Sequence, residues 1–541
     1  MLNNNEHKII QYADDATVCV RDLESISAAI KLINTFSSFA GPKLNIHKTK
    51  GIWLGSFKDL GHRVYRNITW TGNPVKFLGI YIGHNKEKCY ALNWSKRLDK
   101  IARSIQQLKC RKLTLFGKIQ AIKSYIISKI VYPSSVLVVP NEVKENIRSM
   151  CYSYIWGKRD RVKRSTMVNS KNAGGVNMVD FDNFFLSLKA SFVPRIISKA
   201  GKWSDYFYLK LNQINLSADY LWKTTFKTAD SFPIIKRLSA FYLEVILAYN
   251  KCKTAKPFKN LNKHEIAEQP LWGNDHFRTA NTCLYLKHWV NSNFLYVKDI
   301  IAKNGNVRSD NDLFQSIAEK QNIWQEIFLI KNYVIRKLHM VDLTIAPFVK
   351  IRQQAELLFK NKIFIINDQK SKFFYHILKE RSKSRGAMES LYSREFSFEN
   401  DKILWANIYK QKLIELKDSK LCEFNFKILH NIVPCGYTVS KWQNNISKYC
   451  SVCNSIETTK HMLFECDRVK IIWDIISNVL KVNISWKNIV CGFPKYNTSK
   501  KTILMNYIFT IVSYTIFKEN LYCKFNDKQA TNKVYKCTLY Q

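Results

Sequence analysis

Four candidate metal ligands near the C-terminus constrain the fold of this chain more than any other feature. Two residues separate Cys450 from Cys453, seven more lead to His461, and four more lead to Cys466. A Cys-x2-Cys turn places two thiolates on one side of a metal, and His and Cys from a following helical turn complete a tetrahedral set. No position is left open for water, so we expect a structural zinc ion. Four unrelated residues are the alternative, which their local density disfavours.

The other eleven of the 14 cysteines show no comparable spacing. Most lie in apolar runs, as Cys19, Cys110 and Cys151 do, which predicts reduced and buried thiols rather than a disulfide scaffold. Basic residues flank the Cys/His cluster and favour a role in nucleic-acid binding for this module: Lys441, Lys448, Arg468 and Lys470.

The net charge of the chain indicates a polyanionic partner. Lys and Arg number 85 against 42 Asp and Glu, which gives a formal charge of +43. Such an excess repels itself unless a polyanion is bound, and nucleic acid is the first candidate. An anionic membrane surface is the second, but the sequence has no apolar run near the length of a spanning helix and no signal-peptide pattern. We therefore expect a soluble intracellular protein, in the nucleus or the cytoplasm, without a membrane partner.

Two adjacent carboxylates lie near the start of the chain. The stretch from His7 to Val20 places short runs rich in β-branched residues on both sides of Asp14 and Asp15. This pattern predicts a β-hairpin with the two carboxylates at its tip. Neighbouring carboxylates are easiest to accommodate where a hard divalent cation takes their oxygens as ligands, as in the two-Mg²⁺ site of polymerases. A solvated Asp-Asp turn fits the residues equally well.

The rest of the chain predicts mostly helices, so the expected fold class is α+β. A helix capped by Asp22 and ended by Gly41-Pro42 follows the hairpin, and strand-like runs follow at 51–55 and 75–83. Residues 173–178 predict a backbone turn rather than a phosphate loop, because they lack the spacing of a nucleotide fingerprint.

Three basic helices are predicted between residues 92 and 157, the second over 113–131 and the third from Asn141 towards Trp156. They favour a module that grips a nucleic-acid duplex through phosphate contacts, because acidic residues that would balance a solvated face are scarce. A plain helical bundle with a basic surface is the alternative. A very basic turn follows at 158–164.

Residues 185–425 predict mostly helices without a catalytic constellation. Aromatic residues at 373–375, with His376, lie between Lys372 and Lys379. They fit stacking on single-stranded nucleic acid, but core packing is the favoured interpretation.

The order of the motifs resembles the reverse transcriptases of non-LTR (LINE-type) retrotransposons. Tyr12-Ala13-Asp14-Asp15 is similar to their catalytic hairpin, and Leu44-Asn45-Ile46-His47-Lys48-Thr49-Lys50 and Phe77-Leu78-Gly79 are similar to the two motifs that come after it. Three further stretches resemble the thumb and post-thumb of that family: Phe116-Gly117-Lys118 to Tyr132, Tyr154-Ile155-Trp156-Gly157 and Gly174-Gly175-Val176. Phe426-Lys427-Ile428-Leu429-His430-Asn431, leading into the Cys/His cluster, resembles the C-terminal zinc-binding domain. The resemblance covers nearly the whole chain, more loosely at 200–400.

The resemblance implies four regions. They are a partial polymerase palm with a short antiparallel sheet and a helix at 1–88, a helical thumb at 89–170, a mostly helical region at 171–425 and a zinc-binding domain at 426–541. The implied reaction is RNA-templated DNA synthesis at a nicked target, with an RNA template and a DNA target or primer as partners.

The resemblance also implies roles for individual residues. Asp14 and Asp15 would hold catalytic Mg²⁺, and Tyr12 would pack near the primer end. The primer grip would include Phe77, Leu78 and Gly79. Three lysines are further candidates for contact with nucleic acid or triphosphate: Lys48, Lys50 and Lys118. For Lys48 and Lys50, a solvated surface charge is the alternative.

One departure from the family affects the expected activity. Eleven residues precede Tyr12, so the endonuclease, the fingers and the palm strand with the third metal-binding aspartate are missing from this sequence. Two metals bridged by Asp14 and Asp15 alone would be under-coordinated. The sequence therefore predicts the C-terminal part of a retrotransposon protein, a truncated chain that is not a competent polymerase alone. An RNA- or DNA-binding protein without catalysis and a non-functional translated remnant are the alternatives.

Overall fold

The computed structural model describes residues 9–525, except for 255, 280–281, 303–305, 319–320, 339–355, 360–361, 383–386, 399–401, 442, 444–445 and 494–499. His7 and Lys8 of the predicted hairpin lie outside the described residues. The chain divides into two compact units, one made of 1–99, 130–143 and 182–379, the other of 100–129, 144–181 and 380–541. Helices dominate and the strands are few and short, which confirms the α+β class.

The strands of the described residues form several small sheets. They are β1 (Ile9–Tyr12), β2 (Asp15–Val18), β3 (Lys50–Ile52), β4 (Arg63–Tyr65), β5 (Ile68–Thr71), β6 (Val75–Phe77), β7 (Ile80–Ile82), β8 (Glu356–Phe359) and β9 (Lys362–Ile365). Three antiparallel pairs, β1 with β2, β6 with β7 and β8 with β9, stand as separate two-stranded sheets. In the remaining sheet, β5 pairs in parallel with β3 and antiparallel with β4. The N-terminal strands therefore do not share one antiparallel sheet.

The helices begin with α1 (Leu23–Ala40), α2 (Lys86–Lys109), α3 (Leu115–Ala121), α4 (Ser128–Val136), α5 (Asn141–Trp156), α6 (Arg164–Val168), α7 (Phe181–Ala190), α8 (Phe192–Ile197), α9 (Lys202–Asn212), α10 (Ala218–Lys223), α11 (Ala240–Cys252) and α12 (Lys263–Ala267). They continue with α13 (Lys287–Asn291), α14 (Asp310–Ser316), α15 (Ile323–Ile330), α16 (Arg336–Leu338), α17 (Ser371–Arg381), α18 (Ala387–Glu395), α19 (Lys402–Leu413), α20 (Ser419–Leu429), α21 (Gly436–Ser440), α22 (Asp467–Leu480), α23 (Trp486–Cys491) and α24 (Lys500–Phe525).

The predicted start and end of α1 are confirmed. The carboxylate of Asp22 accepts a hydrogen bond from the amide of Ser25 at 2.7 Å, which satisfies one of the amides that a helix start leaves without a partner. Gly41 ends the helix with a φ of 87°, a conformation that glycine adopts without strain. Local capping chemistry was therefore sufficient to place this element.

The basic helices also form where the sequence predicts them. The third spans Asn141–Trp156, and the second is built from α3, a π-helical turn over Ile122–Ile127, and α4. The run at 75–83, expected as one strand, is instead a hairpin. Leu78 and Gly79 have φ angles of 43° and 83°, so the chain reverses between β6 and β7.

Aromatic side chains fill the core of the first unit. Trp272 and Trp289 are fully buried, with ring centroids 6.4 Å apart. The hydroxyl of Tyr220 donates to the Trp272 carbonyl at 3.0 Å and accepts from its amide at 3.2 Å. Phe374 belongs to the same buried cluster and Phe373 packs against it, which confirms core packing for these two residues, whereas His376 is exposed. The large apolar residues of this region therefore stabilise the fold.

Two glycines pack against neighbours in the second unit. A Cβ on Gly174, whose φ is 72°, would lie 2.4 Å from the Tyr409 ring, and its carbonyl is 2.8 Å from Nε2 of His430. A Cβ on Gly175 would lie 2.2 Å from the carbonyl oxygen of Asn169. The predicted backbone turn is thus a packing site for α19 and α20.

The described cysteines carry free thiols, but not all are buried. Cys151 is buried as expected. Cys19 and Cys110 are exposed instead, because the first follows a solvent-facing hairpin and the second lies in the turn that ends α2. None of the helices that the structure describes has the length and apolarity needed to cross a membrane.

Candidate zinc centre and nucleic-acid interface

The structure brings the four cysteine and histidine residues of the C-terminal cluster together. Their ligand atoms all lie within 4.8 Å of one another. Sγ of Cys450 is 3.9 Å from Sγ of Cys466, and Sγ of Cys453 is 3.1 Å from Nε2 of His461. In a tetrahedral site with zinc–sulfur bonds of about 2.3 Å, two sulfurs are about 3.8 Å apart. Three sulfurs and one imidazole nitrogen at these separations fit a structural zinc ion.

A tight turn orients the first two ligands. The amide of Cys450 donates to the carbonyl of Ser455 at 2.8 Å, and the amide of Asn454 donates to the carbonyl of Cys450 at 3.0 Å. Asn454 has a φ of 52°, and asparagine tolerates this left-handed conformation better than most residues. The turn places the thiols of Cys450 and Cys453 on one side, as the Cys-x2-Cys spacing predicts.

A helical turn supplies the other two ligands. His461 begins the π-helical turn His461–Glu465, and the amide of Cys466 donates to the His461 carbonyl at 3.0 Å. Cys466 is also the residue that precedes α22. The indole of Trp473, in the second turn of α22, donates to the carbonyl of Leu463 at 2.8 Å. The turn is therefore held by the helix that follows it.

The electrostatics of the cluster favour a thiolate at Cys450. A hydrogen bond from the Cys466 thiol lowers the pKa of Cys450, and the amides of Cys453 and Val452 lower it further. The same contact raises the pKa of Cys466, which keeps the shared proton. Because zinc binds thiolates, metal binding would displace this proton.

Comparison with known proteins supports the assignment of this region. A protein-family model described as zinc-binding in reverse transcriptase matches residues 387–473, which contain all four ligands. Residues 387–473 are therefore similar to the zinc-binding region of reverse transcriptases. The Transposon TX1 uncharacterized 149 kDa protein of Xenopus laevis is 23% identical over 148 residues, which make up 27% of this chain and 11% of that protein. The chain thus matches a small part of this relative's length.

These two matches confirm the resemblance to the C-terminal region of a non-LTR retrotransposon reverse transcriptase. The matched region begins in the structure at α18, upstream of the cluster. It includes α19, whose Tyr409 packs against Gly174, and α20, whose C-cap residue His430 contacts the Gly174 carbonyl.

The carboxylate pair lies at the tip of an exposed hairpin. Tyr12 pairs with Asp15 across the strands, and Ala13 and Asp14 form the turn, with Ala13 at a φ of 52°. Tyr12 is 68% exposed, and both carboxylates are exposed. Within the described residues, the Cys/His cluster brings four potential metal ligands together. The hairpin offers two carboxylates, and the described residues place no third ligand beside them.

The expected primer-grip residues form the turn between β6 and β7. Phe77 ends β6, and the turn through Leu78 and Gly79 is fixed by Arg97, whose Nη2 donates to the Gly79 carbonyl at 2.7 Å. Asn93, nearly fully buried in α2, accepts a hydrogen bond from the Tyr81 amide at 2.9 Å and donates to its carbonyl at 2.8 Å. Sequence reasoning missed Asn93 and Arg97, because nothing in a basic helical stripe marks which polar residue faces a strand.

The three predicted lysines have different environments. Lys48 and Lys50 are exposed, the first in a loop turn and the second at the start of β3. Lys118 is half-buried in α3: its Nζ donates to the carbonyl of Ile155 at 3.1 Å and lies 5.6 Å from the centre of the Tyr154 ring. The structure does not place these lysines in one sheet with Asp14 and Asp15.

Proposed function

We propose that this protein, which is related to retrotransposon reverse transcriptases, binds RNA or an RNA–DNA duplex through its basic helices and zinc-binding region. The observation that carries the proposal is the set of four zinc ligands inside the matched zinc-binding region. By family resemblance, the complete activity is RNA-directed DNA synthesis of the non-LTR (LINE) type, primed at a nicked target. The interface residues proposed from that resemblance are Tyr12, Lys48, Lys50, Phe77, Leu78, Gly79 and Lys118.

Charge supports a nucleic-acid partner. The net charge of +43 is large. When Lys and Arg side chains neutralise the phosphates of a nucleic acid, the counterions condensed on that nucleic acid are released. Cations also flank the zinc cluster in the chain: Lys441, Lys448 and Lys470 lie near it, and Lys470 forms an ion pair with Asp467 at 2.9 Å. Phosphate contacts of this kind position a protein without selecting a sequence.

We expect binding of RNA to be strongly dependent on salt. Affinity should fall by about 1000-fold between low and near-physiological salt if about six to ten phosphates are contacted. Fluorescence anisotropy with a labelled RNA–DNA duplex over a series of salt concentrations measures this slope. A duplex with an uncharged backbone is the control and should not compete. An affinity independent of salt would refute the proposal.

We also propose that the hairpin is a Mg²⁺-binding element that is catalytically insufficient in this 541-residue chain. Asp14 and Asp15 offer the oxygen ligands that Mg²⁺ prefers, and bound Mg²⁺ would stabilise charge on the transferring phosphate. Two carboxylates at an exposed turn leave most ligand positions of two metal ions to water. The proposal rests on that donor count among the described residues.

A primer-extension assay on an RNA template tests this second proposal. We expect nucleotide incorporation by the isolated chain to equal that of the double variant Asp14→Asn, Asp15→Asn, because neither protein completes a two-metal centre. Incorporation clearly above the variant's level would show that the hairpin is a working catalytic site and would overturn the proposal.

A further inference from the structure

A basic cavity lies within the second unit, apart from the zinc cluster. Its volume is about 830 Å³, in the range of ligand-binding pockets. Its walls come from the end of α2 and the loop after it, from α3, from the end of α5 with the basic turn at 158–164, and from α20. Distant parts of the sequence thus form one concave surface.

Cations dominate the lining. It contains two carboxylates, Asp160 and Glu423, and six basic side chains: Lys109, Lys118, Lys158, Arg161, Arg164 and Lys427. Both carboxylates are already engaged. Asp160 pairs with Arg164 at 2.7 Å, and Glu423 pairs with Lys427 at 2.7 Å and accepts a hydrogen bond from the Leu115 amide at 2.9 Å. The basic side chains of the lining therefore outnumber its carboxylates by four.

Two of the six cations, Lys118 and Lys427, are half-buried, and the other four are exposed. Burial lowers the pKa of Lys118 and also that of Arg161. Lys427 contributes to the lowering at Lys118, while Glu423 opposes it. Concave, partly desolvated surfaces of one sign concentrate the field that attracts an opposite charge. An anion in the cavity would relieve this repulsion.

The lining also offers a hydrogen-bond donor without an acceptor. Nε1 of Trp156 is buried and has no hydrogen-bond partner in the part of the chain that the structure describes. Buried donors are nearly always satisfied in proteins, so this one indicates a missing acceptor. The hydroxyl groups of Ser149 and Ser153 lie in the same lining. Phosphate oxygens are acceptors of the kind that these donors require.

We propose that this cavity binds the phosphate groups of a single nucleic-acid strand, and that α20 of the zinc-binding region completes it with Lys427 and Glu423. The volume admits part of a strand rather than a duplex. The proposal rests on the proposed nucleic-acid binding and deepens it. It assigns the matched zinc-binding region a direct contact with the backbone, in addition to its zinc ion.

Lysine footprinting of the full, zinc-loaded chain tests the proposal. Acetylation is measured by mass spectrometry with and without a single-stranded oligouridylate. We expect protection at Lys109, Lys158 and Lys427, and none at Lys287 and Lys362, which are exposed and lie in the other unit. Tripolyphosphate in a parallel arm distinguishes a small phosphorylated ligand from a strand.

A pair of variants gives a second measurement. The salt slope is the change in the logarithm of the oligouridylate binding constant with the logarithm of the salt concentration. In the double variant Lys109→Gln, Lys158→Gln, its magnitude should fall by about 0.7 for each phosphate that is no longer neutralised. Lys287→Gln with Lys362→Gln should leave the slope unchanged. Both positions of the first variant are exposed, so folding should be unaffected.

The possible outcomes separate the two proposals. Protection of the cavity lysines together with a lower slope supports the inference. Salt-dependent binding without protection overturns it and leaves the proposed nucleic-acid binding intact. Protection by tripolyphosphate but not by oligouridylate overturns the strand as occupant. Absence of binding to both the duplex and oligouridylate overturns both proposals.

Discussion

Replacing Cys450 and Cys453 by serine should abolish zinc binding and unfold the module around residues 449–466. A two-ligand turn and one helical turn converge on the metal position. Structural zinc contributes about 10–16 kcal/mol of apparent binding free energy in small zinc modules. Zinc content per chain should fall from one to zero in metal analysis.

Hydrogen exchange reports the structural consequence. Amides of the module should lose protection by at least about 100-fold, equivalent to about 3 kcal/mol. Chelation of the unmodified chain should reproduce the effect. Cys435→Ser is the matched control, because Cys435 is a buried thiol of the same region that does not belong to the cluster. Unchanged zinc content in the Cys450 and Cys453 variant would show that the cluster is not a zinc site.

Gly175→Ala should destabilise the second unit by about 3 kcal/mol or more, the upper range of overpacking effects. The added Cβ would lie 2.2 Å from the carbonyl oxygen of Asn169 and 2.5 Å from that of Thr166. Both are backbone atoms, and the Asn169 carbonyl already accepts from the Asn177 amide at 2.8 Å. Neither can move without breaking the turn. Urea unfolding followed by hydrogen exchange of peptides from 144–181 measures the loss.

Gly157→Ala is the control for this substitution. Gly157 has a φ of 81°, and an added Cβ would meet nothing within 4 Å. Its cost is therefore conformational strain alone, about 1 kcal/mol. Equal losses for the two variants would mean that the space around Gly175 is not as tight as the structure shows.

The two experiments separate metal binding from packing. Loss of zinc should affect 449–466, whereas Gly175→Ala acts where the Gly174-Gly175 turn contacts α19 and α20. The carbonyl of Gly174 lies 2.8 Å from Nε2 of His430, and burial lowers the pKa of His430. Because α20 also lines the basic cavity, we expect Gly175→Ala to weaken nucleic-acid binding without removing zinc.

Local chemistry was enough to predict much of this protein from its sequence. The Asp22 cap and the Gly41 C-cap define the start and the end of α1, and the helix predicted from Asn141 towards Trp156 spans these residues. The Cys-x2-Cys turn and the His and Cys of the next turn lie within 17 residues of one another, so their spacing alone predicts a common metal site. Signals of this kind depend on neighbours in the chain.

Only the tertiary structure decided which distant residues meet. The 75–83 run became a hairpin fixed by Arg97 and Asn93, and Cys19 and Cys110 proved to be exposed. Nothing in the sequence relates Lys118 to Lys427, yet both line one basic cavity. Packing selects among many possible long-range pairs, and a single sequence does not show that selection. The zinc ligands could be predicted because they are close in the chain, and the cavity could not because its parts are far apart.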